Sequence, residues 1–180
     1  EGDFVTIIGG NGSGKSTLMN AIAGAITLDS GTIKIAGKDV TKLPEYKRAA
    51  YLGRVFQDPN MGTASQMNIE ENMMLATRRT KKKTLKWGFN KEDREACVNK
   101  LKSLNLGLEN RLEQKVGLLS GGQRQAVTLL MATIQRPDIL LLDEHTAALD
   151  PKTAKVVLEL TSKIVEEEKI TTLMITHNMR

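Results

Sequence analysis

The octapeptide Gly9-Gly10-Asn11-Gly12-Ser13-Gly14-Lys15-Ser16 constrains this chain more than any other stretch, because it follows directly on a β-branched apolar run, Phe4–Ile8. It matches the pattern G-x-x-x-x-G-K-[ST], which cradles phosphate when a strand precedes it and a helix follows. Phe4–Ile8 reads as a buried strand. Ser16–Ala25 reads as the helix, with Leu18, Met19, Ile22 and Ala25 on one side. Glycines let successive backbone N–H groups turn inward onto phosphate oxygens, and the helix N-terminus adds its dipole. Lys15 then supplies a cation to the β- and γ-phosphates. Ser16, with Thr17 beside it, supplies a hydroxyl able to ligate Mg²⁺. The alternative is a glycine-rich turn with a solvated lysine; strand, spacing and helix together favour the cradle.

A second apolar segment, Ile139–Leu142, ends in two acids, Asp143 and Glu144. In parallel sheets ligands gather at the carboxyl ends of strands. Asp143 is placed there to join a Mg²⁺ shell and Glu144 to orient and deprotonate an attacking water. Taken alone, the pair could equally end a strand and cap the next turn.

Between these landmarks the pattern alternates strand and helix. Gly31–Gly37 reads as a half-exposed strand and Leu52–Phe56 as another, while residues 61–118 turn helical and more polar. Asn90 is a candidate N-cap, with Glu92 and Asp93 in the first turn of its helix. A helix from Ser120 to about Gln135 stops near Pro137, Pro151 opens one to about Glu168, and Thr171–Thr176 is the last strand. The expected fold is α/β: a mainly parallel sheet flanked by helices, a partial antiparallel β subdomain and an inserted helical subdomain. Residues 1–60 and 138–180 form the expected core, and 61–137 the helical subdomain with a coupling surface. The chain opens at Glu1 almost on a strand and stops at Arg180 just after one, so both ends read as cut.

At 180 residues the chain suits one domain, and 40% hydrophobic with 26% charged residues is a globular balance. Aromatics at 3% argue against stacking on single-stranded nucleic acid, while a net charge of +5 suits anionic partners in general. Cys97 is the lone cysteine, which excludes an internal disulfide and fits a reducing cytosol. No apolar run nears the roughly 20 residues that cross a bilayer, so a membrane role must come through a partner.

Leu119-Ser120-Gly121-Gly122-Gln123, lying between the two phosphate-site motifs, resembles the signature peptide of ATP-binding-cassette proteins. Gln57 resembles the family's glutamine-loop residue, Ala148-Leu149-Asp150 its D-loop, and His177 its switch histidine. The motifs stand in the family's order over nearly the whole chain. Read without the resemblance, Ser120 is a good N-cap, and Gly121 and Gly122 leave N–H groups bare at a helix start, a second anion site. The same glycines could simply allow close packing. The resemblance implies a P-loop ATPase with ATP and Mg²⁺ as cofactors, working as a homodimer or paired cassette. Each ATP would sit between Lys15 of one copy and Ser120 of the other. It also implies that Gln57 touches Mg²⁺ and water, that His177 contacts the γ-phosphate, and that Asp150 joins helix capping to a dimer contact. By themselves Gln57 reads as an exposed amide and His177 as a surface histidine.

Further implications are integral-membrane permease partners, a solute-binding protein in the full system, a peripheral place on the cytoplasmic face of the membrane, and no nucleic acid. QDPNMGTASQMNIEENM and DEHTAALDPKTA resemble cassettes of bacterial importers for amino acids or related solutes. The alternative is a soluble cassette ATPase of translation or DNA maintenance; the compact Lys15–Ser120 span, without sustained heptads, argues against the DNA-maintenance type. One feature departs from the family: His145 stands where proline commonly follows the glutamate, read here as a turn residue. The aromatic that stacks on adenine in the family lies upstream of the phosphate loop, before Glu1, Phe4 being too near the loop to serve. The run Arg78–Lys83 reads as a solvated loop or a face toward anionic lipid or a partner. Trp87 and Phe89 could anchor that contact or cap a local core. Met61, Met67, Met73 and Met74 could line an adaptable groove or fill the core.

Overall fold

Short apolar runs separated by amphipathic helices can bury both faces of a sheet, and the chain does this. The computed structural model describes residues 2–79 and 91–176. Strand β1 (Phe4–Ile8) runs into helix α1 (Lys15–Ala23), then a two-residue hairpin of β2 (Lys34–Ile35) and β3 (Lys38–Asp39), the single-turn α2 (Glu45–Arg48) and β4 (Leu52–Val55). Helices α3 (Ile69–Thr77), α4 (Lys91–Lys102) and α5 (Gly121–Thr133) follow, then β5 (Ile139–Asp143), α6 (Pro151–Glu168) and β6 (Thr171–Thr176). The expectations attached to Thr80–Lys83, Trp87, Phe89, Asn90 and His177 fall outside the described residues.

The four longer strands form one sheet in the order β1-β6-β5-β4, every neighbouring pair parallel. Ile8 pairs with Thr176, and Asp143 pairs with Ile175, so the carboxyl ends of β1, β6 and β5 finish side by side. The hairpin is a separate antiparallel pair. Alternation along β5 divides the core between the two sheet faces. Leu140 and Leu142 join Val55, Ile69, Met73, Leu101 and Leu129 on the side of α3, α4 and α5. Leu141 joins Met19, Ala23, Ile35 and Leu52 on the side of α1 and the hairpin. Burial also pushes the Cys97 thiol up to about 11, so it is an inert core group at neutral pH. No helix among the described residues is long and apolar enough to cross a membrane.

Three sequence expectations need correction. β1 forms where its apolar run stands, but Phe4 is 44%, Val5 48% and Ile8 51% exposed. Among the described residues it is a sheet edge, hydrogen-bonded only to β6, and not a strand covered on both faces. In α1 Met19 is buried as expected, whereas Leu18 is exposed and Ala25 lies past the helix end at Gly24. Gly31–Gly37 shrinks to the hairpin because Ala36 and Gly37 turn the chain at positive φ. The methionines divide: Met73 is core, and Met61 is 69% exposed.

Arg48 has no place in the hydrophobic pattern, yet it is 2% exposed. Its guanidinium donates to the Ala21, Ile22 and Thr41 carbonyls at 2.6, 2.9 and 2.8 Å, and its Nε to Leu43 O at 2.9 Å. It thereby satisfies the end of α1 and ties the post-hairpin chain to it. We expect Arg48→Met to lower unfolding free energy by about 3 kcal/mol, since charge-assisted bonds are lost and buried acceptors orphaned. Urea denaturation checks this, and Arg48→Lys recovers only part, because one ammonium cannot span the four carbonyls.

Candidate active site

Between Ile8 and Lys15 the backbone wraps into a cup whose floor is the start of α1. Gly14 is the N-cap at φ 86, with no side-chain cap bond and no acid in the first turn, so the helix dipole meets the cup uncompensated. Gly9 lies close to the cup wall: a Cβ there would stand 2.8 Å from Ser13 Oγ, which would have to rotate away. Lys15 is 8% exposed and folds back across the cup, its Nζ donating to Gly9 O at 2.6 Å, Gly10 O at 2.8 Å and Ser13 Oγ at 3.4 Å. The ammonium is thus held at the rim by backbone dipoles, with a phosphate oxygen as its natural exchange partner.

The cleft over the cup has a volume of about 540 Å³ and is lined by residues 11–17 together with Gln57 and Glu144. Residues far apart in sequence converge there because β4 and β5 pair in register, Val55 opposite Leu142, and both leave the sheet at the same edge. Glu144 sits at φ 46, a strained conformation for a side chain of its kind, and its N–H donates to Ile175 O at 3.1 Å. Asp143 does not line the cleft; its Oδ2 stands 3.7 Å from the Arg54 guanidinium. No three His, Cys, Asp or Glu side chains among the described residues make a metal site by themselves. The nearby donors, the Ser16 hydroxyl, the Gln57 amide and the Asp143 carboxylate, are hard oxygens. Few protein oxygens beside a phosphate cup suit Mg²⁺, which keeps water and phosphate in its shell.

Ser120 and its neighbours are not in this cleft. Ser120 caps α5 by a reciprocal pair: its Oγ accepts from Gln123 N at 3.3 Å, and Gln123 Oε1 accepts from Ser120 N at 3.2 Å. Ser120 and Gly121 are exposed while Gly122 is buried, and a Cβ on Gly122 would overlap Thr153 Cγ2. Gly122 therefore serves close packing, while Gly121 stands exposed at the helix start. Asp150 caps α6 by accepting from Thr153 N at 3.1 Å, and hydrogen bonds from Thr153 hold its carboxyl below the usual range.

Sequence reasoning missed the side chains that brace these parts. Buried Gln125 donates to Phe56 O at 3.3 Å, and Arg124 donates to Asn60 Oδ1 and to Gly117 O at 2.7 Å, so α5 grips the chain on both sides of Gln57. The polarity of Gln125 gave no sign of its burial. His145 lies in a turn as expected but is 2% exposed, with Nε2 3.1 Å from Thr161 Oγ1. The Thr161 hydroxyl spends its proton on Val157 O at 2.8 Å, so the imidazole donates from Nε2, and burial keeps the ring neutral at neutral pH.

The model of the ABC transporter family matches residues 1–147. The chain belongs to that family. It is 49% identical to a tyrosine transport ATP-binding protein of Clostridioides difficile, over 100% of this chain and 71% of the relative. It is 38% identical to the methionine import ATP-binding protein MetN of Clostridium tetani, over 99% of this chain and 54% of that one. Among solved structures, a dimeric ATP-binding cassette in a post-hydrolysis state with ADP and phosphate superposes with a TM-score of 0.80. That likeness holds at 32% identity, covering 99% of this chain and 76% of the other. This ABC cassette is an ATP-binding and ATP-hydrolysing transport subunit.

Burial lowers the His145 pKa from 6.5 to about 4. The unfolded chain therefore binds the extra proton first as pH falls, and stability drops from about pH 6.5 down to about pH 4, where the slope ends. We expect urea unfolding at pH 5 to give about 2 kcal/mol less stability from this residue than at pH 7, a difference absent in His145→Met.

Proposed function

We propose that this cassette powers a bacterial importer for an amino acid or a related small solute, working in pairs beneath integral-membrane permease subunits on the cytoplasmic face. The relatives named for tyrosine, methionine and thiamine transport support import and this class of cargo. A solute-binding protein completes such a system. Residues 1–60 and 138–180 would be the ATPase core, and 61–137 the subdomain that couples to the permease.

One observation carries the chemistry: Glu144 and Gln57 share a cleft with the phosphate loop, at the carboxyl edge of the sheet. In this reading the N–H groups of residues 9–17 and the Lys15 ammonium hold the β- and γ-phosphates. Ser16, Asp143 and Gln57 would hold Mg²⁺, which supplies charge neutralisation to the phosphates. Glu144 takes the proton of the attacking water, which Gln57 helps orient. His177, by resemblance, contacts the γ-phosphate. The start of α5, with Ser120 and Gly121 exposed, lies outside its own chain's cleft, which suits donation to the ATP of a second copy.

Glu144→Gln should keep ATP affinity in calorimetry while phosphate release falls about 10²–10⁴-fold, the usual worth of a general base. Turnover close to that of the parent protein would remove Glu144 from this role. Lys15→Ala should weaken ATP binding by about 1.5–3 kcal/mol, the value of a charged hydrogen bond, and unchanged affinity would contradict the cradle.

A further inference from the structure

Arg54 is used by none of the motifs, yet it touches all the elements that present the proposed Mg²⁺ ligands. It stands on β4 opposite Leu141, on the sheet face packed against α1. Its Nη2 donates to Asn20 Oδ1 at 2.7 Å and lies 3.7 Å from Asp143 Oδ2. Its guanidinium carbon sits 4.6 Å from the centre of the Phe56 ring. Asn20 is one helical turn beyond Ser16, and Phe56 immediately precedes Gln57, so one side chain reaches the carriers of Ser16, Asp143 and Gln57 together.

Stability alone does not account for this arrangement. The Arg54 side chain is 12% exposed and the Asp143 side chain 18%, and Arg54 Nε is buried with no acceptor among the described residues. Desolvating a cation for one long ion pair, with an N–H left over, is often no better than an apolar pair of similar volume. A cation anchored this way beside a carboxylate limits the rotamers open to it, the role that outer partners play for metal ligands elsewhere.

We propose that Arg54 is a positioning residue for the magnesium–nucleotide site, fixing the Asp143 carboxylate relative to Ser16 and Gln57. This rests on the reading that Asp143 belongs to the Mg²⁺ shell. Asn20 is the amide that aims the guanidinium, and the Phe56 ring supports its face.

The test is equilibrium binding of ATP by calorimetry across a magnesium titration, in the full chain carrying Glu144→Gln so that no turnover intervenes. Arg54→Met should leave ATP affinity in EDTA unchanged and raise the magnesium concentration for half-maximal effect by about tenfold, the low end for an outer-shell partner. Asn20→Ala, which keeps the charge and removes its anchor, should shift it in the same direction by less. Thermal melts establish that each variant is folded. If Arg54→Met does not fold, Asn20→Ala decides, and an unchanged magnesium dependence in it overturns the proposal. An unchanged dependence in folded Arg54→Met, with Asp143→Asn losing the magnesium effect, sinks the role of Arg54 and leaves the site reading standing. If Asp143→Asn itself keeps the full magnesium effect, the site reading fails and the Arg54 proposal with it.

Discussion

The parallel pairing of β6 with β1 on one side and β5 on the other governs this molecule. A parallel ladder fixes direction as well as register, so three carboxyl ends are delivered to one edge of the sheet within a residue of one another. The glycine-rich loop leaves from the first of these ends and the two acids from the last. A slip of one residue in β5 would turn Leu140 and Leu142 out of one core and Leu141 out of the other, so hydrophobic burial locks the position of Asp143 and Glu144.

Around that edge the chain relies on backbone features and buried polar contacts more than on ion pairs. The cup is made of glycines and a helix start, with Lys15 held by carbonyl oxygens at its rim. Glu144 is held in left-handed backbone, anchored by its N–H on β6 and followed by a buried histidine that plugs the next turn into α6. Strain of this sort persists only where packing over-determines it, and the neighbouring Leu142 and Ile175 are both fully buried.

The starts of α5 and α6 are packed together through Gly122 and Thr153, each helix capped by an oxygen side chain, Ser120 on one and Asp150 on the other. The same α5 holds Phe56 and Asn60 through Gln125 and Arg124. One helix therefore carries the signature peptide and contacts both the start of α6 and the segment carrying Gln57.

The sequence by itself determined the elements whose signals are local. The loop pattern, the cap at Asp150 with Pro151 behind it, and the Ile139–Leu142 run each specify backbone through nearby atoms, and α6 and β6 stand at the expected residues. Spacing and order also made the family legible, because its motifs are contiguous peptides. Tertiary structure alone decided what depends on partners distant in sequence. Nothing local marks Arg48, Gln125 or His145 as buried, since their polarity is offset by carbonyls and hydroxyls from other elements. Nothing local marks Phe4 and Val5 as exposed, since an apolar strand is covered only where another layer packs on it. The placing of Arg54 beside Asp143 follows from strand register, which is a property of the assembled sheet and not of either segment.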